Sequence, residues 1–283
     1  MGEPIDGKAI AARVRERVAE EVRELGHVGL ATVLVGDDPA SDVYIRLKQK
    51  AAAEAGIVAQ DVRLPADIGE AELLERVAAL NADDGVDGIL VQLPLPDGID
   101  EQRVIGSVTP LKDVDGFHPL NAGLLYLGLP GHVPATPLGI MELLAASSIQ
   151  VEGARAVVIG RSAIVGKPVA HLLLQANATV TICHSRTVEL PRHTLEADIL
   201  VAAVGVAGLV SPDMVRSGAT VVDVGMNRTE AGLVGDVDPG VMEVAGRMTP
   251  VPGGVGPMTI ALLLRNAVRA ARFRRGLLAY PRV

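Results

Sequence analysis

What most constrains this chain is a repeated switch between two hydrophobic periods, one helical and one extended. Ile10, Val14, Val18, Val22 and Leu25 recur at helical spacing over residues 8–25, which gives a helix one apolar face. Leu30 to Val35 (LATVLV) is then a continuous apolar run of strand length, with GDDPAS as its turn. Ser41 reads as the N-cap of a helix ending near Gly56, Val58–Leu64 as a strand, and residues 70–80 as a helix. DGILVQLPLP supplies the next strand, halted by its prolines. Strands alternating with helices in this way build βαβ units, and those require a parallel sheet.

Residues 107–137 are rich in Gly and Pro, lack a clear period, and read as a domain junction. PLGIMELLAASS leads out of it as a helix. The alternation then restarts with ARAVVIG, a helix over Val169–Ala176, and the strands TVTICHS, ADILVAAVG and GATVVDVG. A long helix over about Met258–Arg274 follows the loop TPVPGGVGPMT. The expected class is α/β with two α/β domains, about 1–138 and 139–256, the second Rossmann-like on a parallel sheet.

Composition narrows the class. In 283 residues, 49% apolar and 21% charged side chains belong to a folded domain rather than a disordered chain. Aromatics are only 2% and Trp is absent, so aliphatic residues must build the core, which favours layered α/β architecture. A net charge of −8 argues against a nucleic-acid or anionic-membrane partner, since phosphate binding calls for a basic face. Cys183 is the single cysteine, so an intrachain disulfide and a cysteine-rich zinc site are excluded. The histidines, His118 and His184 among them, show no H-E-x-x-H spacing, and no metal is expected. The start carries charges every few residues, unlike a secretory signal. No run of about 18 apolar residues is free of charge, Gly and Pro, so no membrane span is expected and the compartment is read as the cytoplasm.

In VVIGRSAIVGKPVAHLL a strand, a turn and a helix start follow one another, where backbone N–H groups and the helix dipole converge on a pyrophosphate. The glycines are Gly160 and Gly166, with Arg161 and Ser162 between them, which is not the G-x-G-x-x-G fingerprint. A plain βα turn without a ligand is the competing reading. The next strand ends in Cys183-His184-Ser185-Arg186, with no acid to hold the 2′-OH of NAD. Arg161, Ser185 and Arg186 would instead suit a 2′-phosphate, which favours NADP; singly, each arginine also reads as a solvated surface charge.

Tyr44 and Lys48 lie four apart on one helix, at the edge of an apolar stripe formed by Val43, Leu47 and Ala51. A lysine there loses solvation, drops its pKa and can act as a base; the plainer reading is a surface pair. Gln92 is an uncommon amide at the end of a buried strand. Asp113 and Asp115 in KDVDGFHP are placed either to reach a ligand beside a strand end or to support a turn. Pro252 and Gly253 in PVPGGVGPMT allow close backbone approach to a ligand, and Pro257 suits the first turn of the last helix.

These segments, in this order, resemble the bifunctional methylenetetrahydrofolate dehydrogenase/cyclohydrolase family. The matching pieces are SDVYIRLKQKAAAEAGI, DGILVQLPLP, KDVDGFHPLNAG, PATPLGIMELL, VVIGRSAIVGKPVA, TVTICHSRT, ADILVAAVG, VVDVGMNR, GDVD and TPVPGGVGPMTIALLL, spanning about residues 4–268. The resemblance implies NADP-dependent oxidation of 5,10-methylenetetrahydrofolate to the methenyl cation, then hydrolysis to 10-formyltetrahydrofolate. It implies that Lys48 is the catalytic lysine, Gln92 its partner, Tyr44 a ring against the folate, and Asp115 the carboxylate for the pterin's amino-pyrimidine edge. Gly160, Arg161, Ser162 and Ser185 match cofactor contacts, and Met226 stands where the family's backbone meets the cofactor. The resemblance also implies a homodimer and a last helix, 257–283, that completes the first, folate-binding domain. Many relatives carry Cys where Ala135 stands, so no thiol acts there, and the terminal RRGLLAYPRV lies beyond the recognisable pattern. The spacing Tyr44-x-x-x-Lys48 also occurs in short-chain reductases, but there the nucleotide turn precedes the pair and here it follows. A dehydrogenase that has lost hydrolysis, or a non-catalytic nucleotide-binding protein on this fold, are the other readings.

Overall fold

The computed structural model describes residues 2–36, 39–230 and 232–281, and of 39–44 the backbone only. In chain order the elements are β1 (Glu3–Pro4), α1 (Gly7–Leu25), β2 (Gly29–Val35), α2 (Pro39–Glu54), β3 (Val58–Leu64), α3 (Glu70–Ala82), β4 (Gly88–Val91), α4 (Glu101–Ser107), α5 (Pro119–Leu127) and α6 (Ala135–Ala146). There follow β5 (Arg155–Ile159), α7 (Gly166–Gln175), β6 (Thr179–Cys183), α8 (Leu190–Thr194), β7 (Ile199–Ala202), β8 (Thr220–Asp223), β9 (Asn227–Thr229), β10 (Gly232–Val234), β11 (Arg247–Met248) and α9 (Val255–Arg274). The chain divides into two compact units, Met1–Ala12 with Thr136–Thr259, and Arg13–Ala135 with Ile260–Val283.

In the second of these units β2 is flanked by β3 and β4, all parallel. Every residue of β2 is buried, because both its faces are covered, whereas β3 is an edge strand with mostly exposed side chains. The apolar face of α3 (Leu73, Val77, Leu80) packs with Ala31, Val33, Ile89 and Val91 of the sheet. Each such fully buried aliphatic side chain contributes about 1.5–3 kcal/mol. The last helix joins this unit: Asn266 Nδ2 donates to the carbonyls of Val114 at 2.8 Å and Val133 at 2.9 Å. Arg274 donates to Asp87 Oδ1 at 2.7 Å and to the Val86 carbonyl at 3.0 Å, so the helix does return to the unit that holds residues 13–135.

The other unit holds a six-stranded sheet in the order β1-β11-β8-β7-β5-β6, every pairing parallel. β5, β7 and β8 are its buried centre, and β9 and β10 form a separate antiparallel hairpin.

Several expectations need correction. The first twelve residues belong with the six-stranded sheet rather than with residues 13–135, because Glu3 and Pro4 pair with Arg247 and Met248. The supposed junction contains α5, started by His118, whose Nδ1 accepts from the Leu120 N–H at 3.0 Å, and stopped by Gly128 in the left-handed region. Pro at the first position and Gly past the last are helix signals, hidden here by the density of both residues. The helix α2 begins at Pro39, so Ser41 lies inside it and does not cap it. Both α7 and α9 start three residues earlier than their apolar spacing suggested, and Pro257 falls in the first turn of α9.

Candidate active site

Lys48 lies on the buried side of α2. Ile45 (1% exposed) precedes it by three residues and Ala52 (0%) follows by four, while Leu47, expected in the stripe, is 49% exposed. The helix is therefore rotated from the sequence expectation, and Lys48 sits on the inward stripe itself. Burial pushes its pKa below that of a free lysine, and the negative charge of Asp115 pulls it partly back. Its Nζ donates to Gln92 Oε1 at 3.0 Å. The side chain of Tyr44, four residues earlier, lies outside the described residues, as does that of Val43.

Gln92 is fixed at both ends. Its backbone N–H extends the β4–β2 ladder to the Val33 carbonyl at 2.9 Å, and its Nε2 donates to the Leu93 carbonyl at 2.8 Å. With the amide nitrogen committed, the oxygen is left to face the lysine.

The KDVDG turn separates its two carboxylates by function. Asp113, 4% exposed, accepts from the N–H groups of Phe117 at 3.3 Å and His118 at 2.9 Å and from Asn121 Nδ2 at 2.8 Å. It is a turn and helix anchor. Asp115 has no hydrogen-bond partner among the described residues. Burial pushes its pKa up to about 7, against the pull of Lys48 and with the repulsion of Asp113. A recessed carboxylate with no protein donors is available for donors on a ligand.

In the other unit, the register Ile159↔Cys183 sets the turn after β5 beside the end of β6, and the Gly160 N–H donates to the Cys183 carbonyl at 2.9 Å. This brings Arg161 to the same strand ends as Ser185 and Arg186. All three are exposed, and neither arginine has an ion-pair partner among the described residues. Gly160 has φ +120°, and a Cβ there would lie 2.2 Å from the Ala203 carbonyl oxygen; one on Gly166 would lie 2.3 Å from the Gly160 oxygen. Gly160 is needed where the turn passes the loop after β7, and Gly166 to seat α7 against the turn. Ser162 Oγ accepts from the N–H groups of Val165 at 3.1 Å and Gly166 at 3.2 Å, which leaves its proton free to donate. The backbone N–H groups of Arg161, Ser162, Ala163 and Ile164 have no partner among the described residues. A turn of unspent donors at a helix start, beside two unpaired guanidinium groups, fits a pyrophosphate and a 2′-phosphate. His184, which shows no metal-binding spacing, accepts from the Arg186 N–H through Nδ1 at 3.1 Å.

Two acids here were not singled out from the sequence. Asp236, 0% exposed, accepts from the N–H groups of Val204 at 2.7 Å and Gly205 at 3.0 Å and from Asn227 Nδ2 at 3.0 Å. Asp223 accepts from the N–H groups of Gly225, Asp236 and Val237, at 2.9, 2.9 and 3.0 Å. Together they fix the loops after β7 and β8, at the strand ends where open α/β sheets bind ligands. Met226, 44% exposed, stands in the second of these loops. DVG and GDVD were the available signals, but nothing local distinguishes a buried acid from a turn acid. Pro252 is exposed; Gly253, at φ +115°, is buried, and a Cβ there would lie 3.3 Å from Lys8 Cε. A Cβ on Gly7 would lie 1.9 Å from the Gly254 oxygen, so this loop packs against the start of α1.

Among the described residues no group of three His, Cys, Asp or Glu is arranged to hold a metal, and no helix is long and apolar enough to cross a membrane. Residues 5–115 match the catalytic domain of tetrahydrofolate dehydrogenase/cyclohydrolase, and residues 134–275 match its NAD(P)-binding domain. The bifunctional protein FolD of Acidiphilium cryptum is 59% identical over 274 residues, 96% of this chain and 98% of that protein. The crystal structure of bifunctional FolD, methylenetetrahydrofolate dehydrogenase/cyclohydrolase, from Campylobacter jejuni is 49% identical with a TM-score of 0.95, covering 97% of this chain and 100% of that one. The Trypanosoma brucei dehydrogenase-cyclohydrolase, solved with NADP cofactor and inhibitor, is 38% identical with a TM-score of 0.90, covering 98% and 99%. The lysine–glutamine–aspartate cluster lies in one matched segment and the phosphate-type turn in the other, and the chain belongs to the tetrahydrofolate dehydrogenase/cyclohydrolase family.

Proposed function

We propose that this chain is a bifunctional enzyme that oxidises 5,10-methylenetetrahydrofolate with NADP and hydrolyses the resulting 5,10-methenyl cation to 10-formyltetrahydrofolate. The observation that carries the reading is a desolvated lysine amine held at 3.0 Å by a fixed glutamine oxygen, under the influence of an unsaturated carboxylate.

NADP, when bound, supplies the hydride acceptor, and Arg161, Ser162, Ser185 and Arg186 would hold its phosphates, with Gly160 and Gly166 giving the backbone room and Met226 lining its loop. The bridge carbon gives up a hydride because its two flanking nitrogens share the positive charge that remains. Hydrolysis needs a base near that carbon, to take a proton from the attacking water before a ring C–N bond opens. Lys48 fills this role because burial favours its uncharged form. Gln92 Oε1 accepts a hydrogen bond from the amine and so aims the nitrogen lone pair elsewhere.

Asp115 binds the two N–H donors of the pterin's amino-pyrimidine edge, where two oxygens meet two donors. Its charge holds the Lys48 pKa up against the larger, opposite effect of burial. When ligand donors take up that charge the hold weakens, and a cationic methenyl ligand depresses the amine further. Substrate binding thus prepares the base. Tyr44 packs its ring on the folate and Pro252 and Gly253 line the same ligand, as the family resemblance implies. A homodimer working in the cytoplasm belongs to the same proposal and rests on that resemblance.

The test is formation of NADPH from 5,10-methylenetetrahydrofolate, run in parallel with NAD, followed by detection of the formyl product. Turnover with NADP and formyl product is the expected result. NADPH without formyl product leaves a dehydrogenase only, and absence of both reactions overturns the assignment.

A further inference from the structure

The segment beyond Arg274 folds back toward the turn that carries Asp115. Tyr280 Oη donates to Asn121 Oδ1 at 2.8 Å, and its ring stands edge-on to Phe273 with centroids 5.1 Å apart. The same Asn121 oxygen accepts from the His132 N–H at 3.1 Å. Its Nδ2 donates to Asp113 Oδ2 at 2.8 Å and to the Pro110 carbonyl at 3.0 Å. Asp113 then takes the N–H groups of Phe117 and His118, closing the turn around Asp115.

We propose that Tyr280 is a positioning residue for folate binding, acting through Asn121 and Asp113 to hold the turn that presents Asp115. This rests on the role given to Asp115 above. Asp115 has no hydrogen bond of its own among the described residues, so the backbone of its turn sets where the carboxylate points. Asn121 is 0% exposed with all four amide positions used, two donors meeting its oxygen and two acceptors its nitrogen. An inverted amide would set its NH2 against the His132 N–H and its oxygen against Asp113, so these neighbours fix the orientation, and the tyrosine hydroxyl adds a second hydrogen bond that holds the amide oxygen in place. Burial and the negative charge of Asp113 push the phenol up to about 12, so it remains a donor throughout the working range.

The experiment is Tyr280→Phe, which keeps the ring against Phe273 and removes one donor. The KM for 5,10-methylenetetrahydrofolate rises about three- to tenfold, the worth of one buried hydrogen bond, with kcat within about twofold. The KM of the methenyl substrate rises equally, NADP affinity measured by calorimetry is unchanged, and amide exchange at Phe117 and His118 quickens. In an Asp115→Asn background the same substitution adds little, because the group it positions is gone. An unchanged folate KM, a loss of NADP affinity in step with it, or effects that simply add in the double variant overturns the proposal. A parent protein without turnover overturns the functional reading instead, and the exchange rates then decide whether Tyr280 holds the turn.

Discussion

Lys48 and Lys112 lie in the same unit, both with pKa values lowered chiefly by burial, yet their surroundings differ. Lys112, 3% exposed, donates to the carbonyls of Leu80 at 3.0 Å and Asp83 at 2.7 Å, closing the C-terminal end of α3. Lys48 has one amide oxygen. Asp113 and Asp115, two residues apart, repeat the contrast: among the described residues three donors meet one and none the other. Burial alone therefore does not mark a functional group. Burial with hydrogen-bonding capacity left over is the better guide, because a ligand is one way for a fold to recover that cost. The cofactor unit differs: its buried Asp223 and Asp236 are saturated, and the side chains left for a ligand, Arg161 and Arg186, are exposed and without an ion-pair partner among the described residues.

The comparison is broken most directly by one substitution made twice. Lys48→Met lowers hydrolysis of the methenyl substrate by about 10²–10⁴-fold, the usual worth of a general base, while the thermal midpoint holds. Full retained hydrolysis removes Lys48 from its role. Next in size, Arg161→Ala with Arg186→Ala weakens NADP about 10–100-fold and NAD far less, since charge-assisted bonds to a 2′-phosphate are lost. Equal losses measured by titration would sink the 2′-phosphate assignment. Lys112→Met then gives the converse of Lys48→Met: unfolding in urea shows a loss of about 1–3 kcal/mol, with kcat unchanged. A stable Lys112→Met protein would show that saturation is no guide to structural work.

The smallest effect concerns pH. Native Asp115 keeps its proton to about pH 7, whereas the unfolded carboxyl ionises near 3.8. Between these values the native state holds the extra proton, so stability falls as pH rises, and the loss is complete above about pH 7. Asp115→Asn has no proton to lose. The stability of the variant over the parent, without ligand, widens from about pH 4 to about pH 7 and then levels. A flat difference across that range would show that burial does not raise this carboxyl.

The elements were legible wherever a single period ran undisturbed. The strand β3 was read to the residue, and α1 and β2 to within one, because their apolar spacing is unambiguous. The helix α5 was missed because its own start and stop residues resemble loop composition. The short β1 and β11 were missed because two-residue strands leave no period at all.

The site residues were legible as types in order, through the resemblance, but not as environments. By itself the sequence determined the α/β class and the parallel sheets, and it offered Lys48, Gln92 and Asp115 as candidates, since period and residue type are local properties. Only the tertiary structure decided that α2 turns Lys48 inward rather than to an edge, that Asp113 is consumed by its turn while Asp115 is not, and that Asp236 fixes two loops. It also gave the C-terminal tail a partner in Asn121. Each of these depends on which donors and acceptors meet across long stretches of chain, and that count exists only after packing has removed the water that would otherwise satisfy them.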